Sequence, residues 1–186
     1  MVLRGIRIAE AGVRFPPGPP KYANFDLSII MFKIKIIVLG KFKEQAYKDL
    51  EKEFLKRLSP FAKIKVVELP EVSYGKNQDL ERVKEKEAES IIKQLPDGAV
   101  VILMEEKGTL RNSVDFAKFI ERVGGIGKEL IFVLGSGIGL HESLKQYSNY
   151  NISLSLLTFP HNLARILLEE QLYRACTILA GKEYHK

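Results

Sequence analysis

Residues able to do chemistry gather at two places in this chain. One is the run Gly135-Ser136-Gly137-Ile138-Gly139, directly after the apolar stretch Leu130 to Leu134. The other is a corner at Pro160-His161, where a strand hands over to a helix carrying Arg165, Glu169, Glu170, Tyr173 and Arg174. At a strand end, bare glycines let the backbone approach a ligand where a Cβ would intrude. Ligands of open α/β sheets bind at the carboxyl ends of strands, which makes the corner the natural place for a reaction. The helix's polar residues alternate with Leu163, Ile166, Leu167, Leu172, Ala175, Cys176 and Leu179 at helical spacing, so they form a second face, either solvated or chemical. Glu170 and Arg174 stand four apart on that face. Arg174 could orient Glu170 or contact a phosphate, yet the pair reads equally as a surface salt bridge worth less than about 1 kcal/mol.

The spacing excludes several common chemistries. A dinucleotide site needs G-x-G-x-x-G and an acid about 20 residues later to hold the ribose. Here the run is G-x-G-x-G, and Leu156, Leu157 and Thr158 stand where the acid belongs. No G-x-x-x-x-G-K-[ST] is present, which removes the nucleotide-phosphate loop. His141, His161 and His185 are too widely spaced for a ligand set and the single Cys176 has no partner, so no metal site is expected.

These residues need a scaffold, and the chain supplies strands and helices in alternation, the pattern of a parallel α/β sheet with helices on both faces. Strands are predicted at Phe32 to Leu39, Ile64 to Leu69, Ala99 to Met104, Leu130 to Leu134 and Ile152 to Thr158, the third and fifth apolar enough to be packed on both faces. The first helix carries Tyr47, Leu50, Phe54, Leu55 and Leu58 on one face. The second, Asp79 to Gln94, turns Leu80, Val83, Ala88, Ile91 and Leu95 inward and leaves a Lys/Glu ladder in solvent. Glu105 to Gly108 reads as a loop, and Ser113 as the cap of a third helix bearing Phe116, Phe119, Ile120 and Val123. A short helix is expected over Leu140 to Tyr147. The last helix runs from near His161 to Ala180, with Pro160 as its starter and Gly181 as its stop.

At 186 residues the chain is one domain by length, and no apolar run approaches the roughly 18 residues that span a bilayer. A lone cysteine on the apolar side of the last helix reads as a core thiol in a reducing compartment, and the expected location is cytoplasmic. Residues 1–30 differ from the rest: FPPGPP at Phe15 to Pro20 holds four of the eight prolines, and scattered charges rule out a secretory signal. This segment is expected to be a disordered extension or an artefact of start assignment, with Met31 the start of the folded unit. Net charge is +6, and 25 basic against 21 acidic residues beyond Ile30 still give +4, which suits a polyanionic partner.

Four segments, MFKIKIIVLGKFKE, VVILMEEKG, FVLGSGIGLHE and LSLLTFPHNLARILLEEQLYRACTILAGKEYHK, together closely resemble the RlmH family of SPOUT-class RNA methyltransferases. The resemblance covers Met31 to Lys186. It implies an enzyme that uses S-adenosyl-L-methionine to methylate N3 of a pseudouridine in 23S ribosomal RNA, a homodimer, and a C-terminal trefoil knot, which periodicity cannot show. Carried over by position, the cofactor would lie against Leu103, Gly135 and the run Leu154, Ser155, Leu156, Leu157, Thr158 and Phe159. A sulfonium donor with an adenine ring wants such apolar walls and free backbone groups. His161, Glu170, Arg174, Tyr184 and His185 would lie near the target base. The family commonly has two successive glycines where this chain has Gly135-Ser136, leaving the second glycine's role without an occupant. A non-catalytic RNA-binding protein on the same fold would explain the charge but not a preserved cofactor pocket.

Overall fold

The computed structural model describes residues 31–125, 127–182 and 184; residues 1–30, with the expectation placed on them, lie outside the described residues, as does His185. The alternation predicted from the pattern is present: β1 (Phe32–Leu39), α1 (Gln45–Leu58), β2 (Ala62–Leu69), α2 (Leu80–Ile92), β3 (Val100–Leu110), α3 (Ser113–Gly124), β4 (Glu129–Leu134), a 3-10 turn (Glu142–Tyr147), β5 (Tyr150–Ser153) and α4 (His161–Leu179). The five strands form one sheet in the order β2-β1-β4-β3-β5, and every strand pair is parallel.

Period-two alternation divides the core between the two faces. Ile34, Ile36, Val38, Ile102, Leu130 and Phe132 pack with residues of α1, α3 and α4 on one side. Ile37, Leu39, Val101, Leu103, Ile131 and Val133 pack with α2 and the 3-10 turn on the other. Strands β1, β4 and β3 are interior, and residues 36–39, 100–104 and 130–134 are buried on both faces, which is why those runs are wholly apolar, while Lys33 and Lys35 at the start of β1 still alternate toward solvent.

Several elements depart from the sequence reading, each for a local reason. The fifth strand is Tyr150–Ser153, not Ile152 to Thr158. The Ser153 hydroxyl donates to the Ser155 carbonyl at 2.7 Å, and the Leu157 N–H donates to the Ser155 hydroxyl at 3.0 Å. These local bonds compete with the ladder and end the strand. Leu156 and Leu157 are left 88% and 72% exposed, the reverse of the buried strand expected. β3 in contrast runs through the expected loop: Ile152 pairs with both Met104 and Thr109, so Glu105 to Gly108 form a wide bulge in a strand that continues to Leu110. Gly108 is required there, because a Cβ would lie 2.4 Å from the Ile152 carbonyl carbon.

The helix boundaries show the same kind of local control. Asn112, not Ser113, caps α3, its side-chain oxygen accepting from the Asp115 N–H. Leu80 lies in the first turn of α2 and is exposed rather than inward, and on α1 only Leu58 is fully buried while Leu50 faces outward. A periodic stripe gives a helix's apolar face but not how far the neighbours cover it. Helix α4 ends as expected. Gly181 has φ +63°, its N–H donates to the Ile178 carbonyl and that of Lys182 to the Thr177 carbonyl, a Schellman stop that folds the tail back along the helix. Cys176 is buried in the core, and burial pushes its thiol up to about 12, so it is inert.

Candidate active site

The carboxyl ends of β1, β2 and β4 meet at the start of α4. A Cβ on Gly137 would lie 3.8 Å from the His161 Nδ1, and the other ring nitrogen, Nε2, stands 3.5 Å from the Glu71 carboxylate. Glu71 in turn lies against Gly40, where a Cβ would come within 2.9 Å of its oxygen. His161 therefore sits between the glycine loop and the segment after β2, about one third exposed.

One turn further on, Arg165 locks this end of α4 to the rest of the fold. Its guanidinium donates from Nε to Glu51 on α1 at 2.8 Å and from Nη1 to Glu68 on β2 at 2.9 Å, with a second short contact from Nη2 to Glu51. The guanidinium also lies 4.1 Å from the ring centre of Phe42, which stacks on Tyr47. Glu169 is wholly buried, 3.7 Å from Arg165, and its carboxyl is pushed up to about 9, first by burial and then by the charge of Glu51. Both effects favour its protonated form, against the pull of Arg165. Arg165 and Glu169 are thus buried structural groups, not part of a solvated or substrate-facing helix side.

The expected cofactor residues divide by exposure. Leu103 is 1% exposed and belongs to the core, so its side chain can form only the floor of a site. Leu154, Ser155 and Phe159 are half-buried, while Leu156, Leu157 and Thr158 are open to solvent in the loop leading to His161. Gly135 also has a steric role within its own loop. A Cβ there would meet Gly139 at 2.7 Å, so the bare backbone serves closure of the loop on itself, sealed by the Gly139 N–H donating to the Ser136 carbonyl at 3.0 Å.

Ser136, in place of the second glycine, has an occupant's role of its own. Its hydroxyl donates to Glu87 at 2.9 Å, and the second Glu87 oxygen accepts from the Val72 N–H at 3.1 Å. Glu87 is 2% exposed, so one carboxylate from α2 joins the glycine loop to the 70–78 loop that carries Glu71. It was expected in the solvated ladder of α2. No periodicity distinguishes it from its exposed neighbours, and only Ser136 itself, as a departure from two glycines, hints at a partner.

A second group forms at the other end of α4. Arg174 donates to Glu170 from Nε at 3.0 Å and from Nη2 at 2.7 Å, Gln171 donates to the other Glu170 oxygen at 2.6 Å, and the Tyr184 hydroxyl donates to Glu170 at 3.3 Å. Tyr184 stacks edge-on against Tyr173 and lies 4.9 Å from the Arg174 guanidinium. Burial, then the Glu170 charge, raises the Tyr184 phenol above its ordinary value, so it remains a hydrogen-bond donor. Glu170 and Arg174 are both mostly buried. The pair is consequently neither the exposed salt bridge of the simplest reading nor a free base, since Glu170 is already engaged by three donors.

The two groups do not meet within one chain. From His161 to Glu170 is nine residues, about 13.5 Å along the helix and about half a turn around it. His161 and the Glu170–Arg174–Tyr184 group thus occupy opposite faces of α4.

The glycine loop and the helix-bearing corner thus converge at the carboxyl ends of the strands, where ligands of open α/β sheets bind. Residues 32–185 match the family described as "Predicted SPOUT methyltransferase", and the chain belongs to that family. More narrowly, it is 41% identical over 153 residues to the "Ribosomal RNA large subunit methyltransferase H" of Caldicellulosiruptor saccharolyticus, a match covering 82% of this chain and 99% of that protein. It is 40% identical over 160 residues to the protein of the same name from Desulforamulus reducens, covering 84% and 100% respectively. A solved structure described as a probable methylase family protein from Haemophilus influenzae Rd KW20 aligns with TM-score 0.49 and 16% identity, over 82% of this chain and 70% of that one.

Proposed function

We propose that this protein transfers a methyl group from S-adenosyl-L-methionine to N3 of a pseudouridine in the 23S RNA of the large ribosomal subunit, with residues 31–186 forming the methyltransferase domain. The observation that carries the reading is the likeness at 40–41% identity, over nearly their whole length, to two large-subunit ribosomal RNA methyltransferases. The geometry is consistent with it. Exposed Leu156 and Leu157, in the loop leading to His161, offer apolar surface of the kind a sulfonium donor with an adenine ring would use. When bound, that cofactor supplies an electrophilic methyl group. Gly135 and Leu154 to Phe159 would hold it, with Leu103 as floor and His161 at the rim.

On the acceptor side, transfer to an imide nitrogen requires orienting the base and favouring loss of its N3 proton. Arg174 is fixed on Glu170 through Nε and Nη2 and keeps further guanidinium N–H groups to steady negative charge developing on the base, while Tyr184, whose one hydroxyl hydrogen goes to Glu170, offers its ring as a stacking face. His161 and His185 are the titratable groups left to take the proton.

Because His161 and the Glu170 group face opposite sides of α4, one reaction can use both only if the second group comes from another protomer. The active form in this reading is a homodimer, with exposed Leu50, Leu156 and Leu157 available to an interface. The C-terminal knot and a cytoplasmic location complete the proposal; among the described residues no helix is long and apolar enough to cross a membrane. Incubation with ribosomes or with 23S RNA and methyl-labelled cofactor should place label in large-subunit RNA. No label from either substrate, or label in small-subunit RNA, would overturn it.

A further inference from the structure

A charged hollow lined by none of the residues of either group lies where β3 ends against α3 and the edge strand β5. Arg111 lines two adjoining depressions there. One, of about 270 Å³, is shared with Asp115, Lys118, Phe119 and Arg122, and the other, of about 300 Å³, is bordered by Thr109 and residues 148–151. Lys118 and Arg122 are four apart on α3 and so project from one side of the helix. Both arginines rest on the same ring: the guanidinium carbons of Arg111 and Arg122 lie 4.7 Å and 5.8 Å from the centre of Phe119. Phe119 is itself buried and held edge-on by Tyr150 at 5.0 Å.

Among the described residues none of the three cations is in an ion pair, as is true of most lysines of the chain, and one feature separates this hollow from an ordinary basic surface. The Arg111 Nε is buried with no hydrogen-bond partner, a polar atom left unsatisfied at the floor. The single acid in the hollow, Asp115, already accepts from the Asn112 amide at 2.7 Å while its N–H is capped by the same residue. Three cations against one carboxylate leave a net +2, with two planar guanidinium groups oriented in advance by one aromatic ring.

We infer that this hollow is a docking groove for the phosphodiester backbone of structured RNA, outside the reacting centre. The choice of partner rests on the methyltransferase reading above. Guanidinium forks match phosphate oxygens in pairs. In the second depression Ser148 and the Asn149 oxygen are taken by internal bonds, which leaves the Thr109 hydroxyl and the Asn149 and Asn151 amide N–H groups to suit ribose 2′-hydroxyls. Both hollows are open and shallow, which fits a surface-following strand rather than an enclosed small molecule. The groove contributes affinity and register, and the chemistry proceeds elsewhere.

The test compares wild type with Arg111→Gln/Lys118→Gln/Arg122→Gln, and with Lys118→Gln/Arg122→Gln, which leaves Arg111 on its ring in case the triple variant folds poorly. Binding to a 23S RNA fragment is measured across a salt series, alongside methyl-transfer kinetics and affinity for S-adenosylhomocysteine. The log–log salt slope should fall by roughly 2 to 3 in the triple variant and by roughly 2 in the double, since each phosphate contact contributes about 0.9. KM for RNA should rise at least tenfold with kcat and cofactor affinity unchanged. Wild-type slope and KM in the folded double variant, with wild type active, would overturn the groove and leave the methyltransferase reading intact. A wild-type protein that neither binds nor methylates the RNA would overturn both.

Discussion

Ser136→Ala removes the donor that ties the glycine loop to Glu87. The Glu87 carboxylate is 2% exposed and receives two hydrogen bonds, 2.9 Å from the Ser136 hydroxyl and 3.1 Å from the Val72 N–H. Losing one donor leaves half of a buried carboxylate without a partner, a cost of about 1.5–3 kcal/mol for a bond to a charged group. In a chain of this length each kcal/mol lowers Tm by about 2–4 °C, so the variant should melt about 3–12 °C lower. Ser136→Gly, which restores the glycine common in the family, should behave the same way, because the missing element is the hydroxyl. Glu87→Gln keeps an oxygen for Val72 and an amide that can donate to Ser136, so it should cost less than either. The Ser136→Ala/Glu87→Leu pair should recover part of the loss, since no buried charge remains. The loop also flanks the proposed cofactor site. If about 1.4 kcal/mol of its order must be regained on binding, affinity for S-adenosylhomocysteine falls about tenfold. Thermal denaturation and titration calorimetry read both effects. Wild-type Tm and wild-type affinity in Ser136→Ala would refute the clamp.

Glu169 gives a pH signature. Its folded-state carboxyl titrates at about 9 against an ordinary 4.5, so between those values the native state holds a proton the unfolded chain has lost, and stability falls as pH rises. The slope contributed is up to about 1.4 kcal/mol per pH unit, and urea melts at pH 6 and 8 should show Glu169→Gln losing less stability over that interval than wild type; equal losses would contradict the assignment. Co-expressing His161→Ala with Arg174→Ala tests the shared site. Each alone should be nearly inactive, yet random pairing makes half the dimers mixed, each with one intact site of two, so about a quarter of wild-type methyl transfer should return. A site built within one chain predicts no recovery. Deleting Tyr184 to Lys186 removes the Tyr184 ring from Tyr173 and its hydroxyl from Glu170, at a stability cost of about 0.5–1.5 kcal/mol. Cofactor affinity should stay within about threefold while single-turnover methylation falls at least a hundredfold; full turnover by the truncated protein would make the tail idle.

The strand–helix alternation was legible because interior parallel strands leave short, β-branched-rich apolar runs such as IIVL and LIFVL between turn signals, and Gly181 marked the end of α4. The errors arose where a local hydrogen bond or a distant partner overrides pattern. Ser153 and Ser155 look like small strand residues, yet their hydroxyls bond the backbone nearby and turn Leu156 and Leu157 outward. Arg165 resembles any basic residue on a helix face until the fold brings in Glu51 and Glu68, more than ninety residues away in sequence. Glu87 is one of several acids in its helix, and its burial depends on loops that do not neighbour it in sequence. At Gly135 the bare backbone lets the loop close on itself, a requirement set by Gly139 four residues on and not by the preceding strand. Family resemblance gathered His161, Glu170, Arg174 and Tyr184 into one site. The geometry adds that His161 and the Glu170–Arg174 pair, with Tyr184 of the tail bonded to it, lie on opposite faces of α4.

The most direct test is the identity of the methylated nucleoside. Large-subunit RNA lacking the modification is incubated with the protein and isotopically labelled S-adenosyl-L-methionine, digested to nucleosides and resolved by mass spectrometry. The account predicts that the label appears as a methyl on N3 of pseudouridine, and that Arg174→Ala abolishes it. Label on any other nucleoside, or none at all with active cofactor and intact ribosomes, would contradict it.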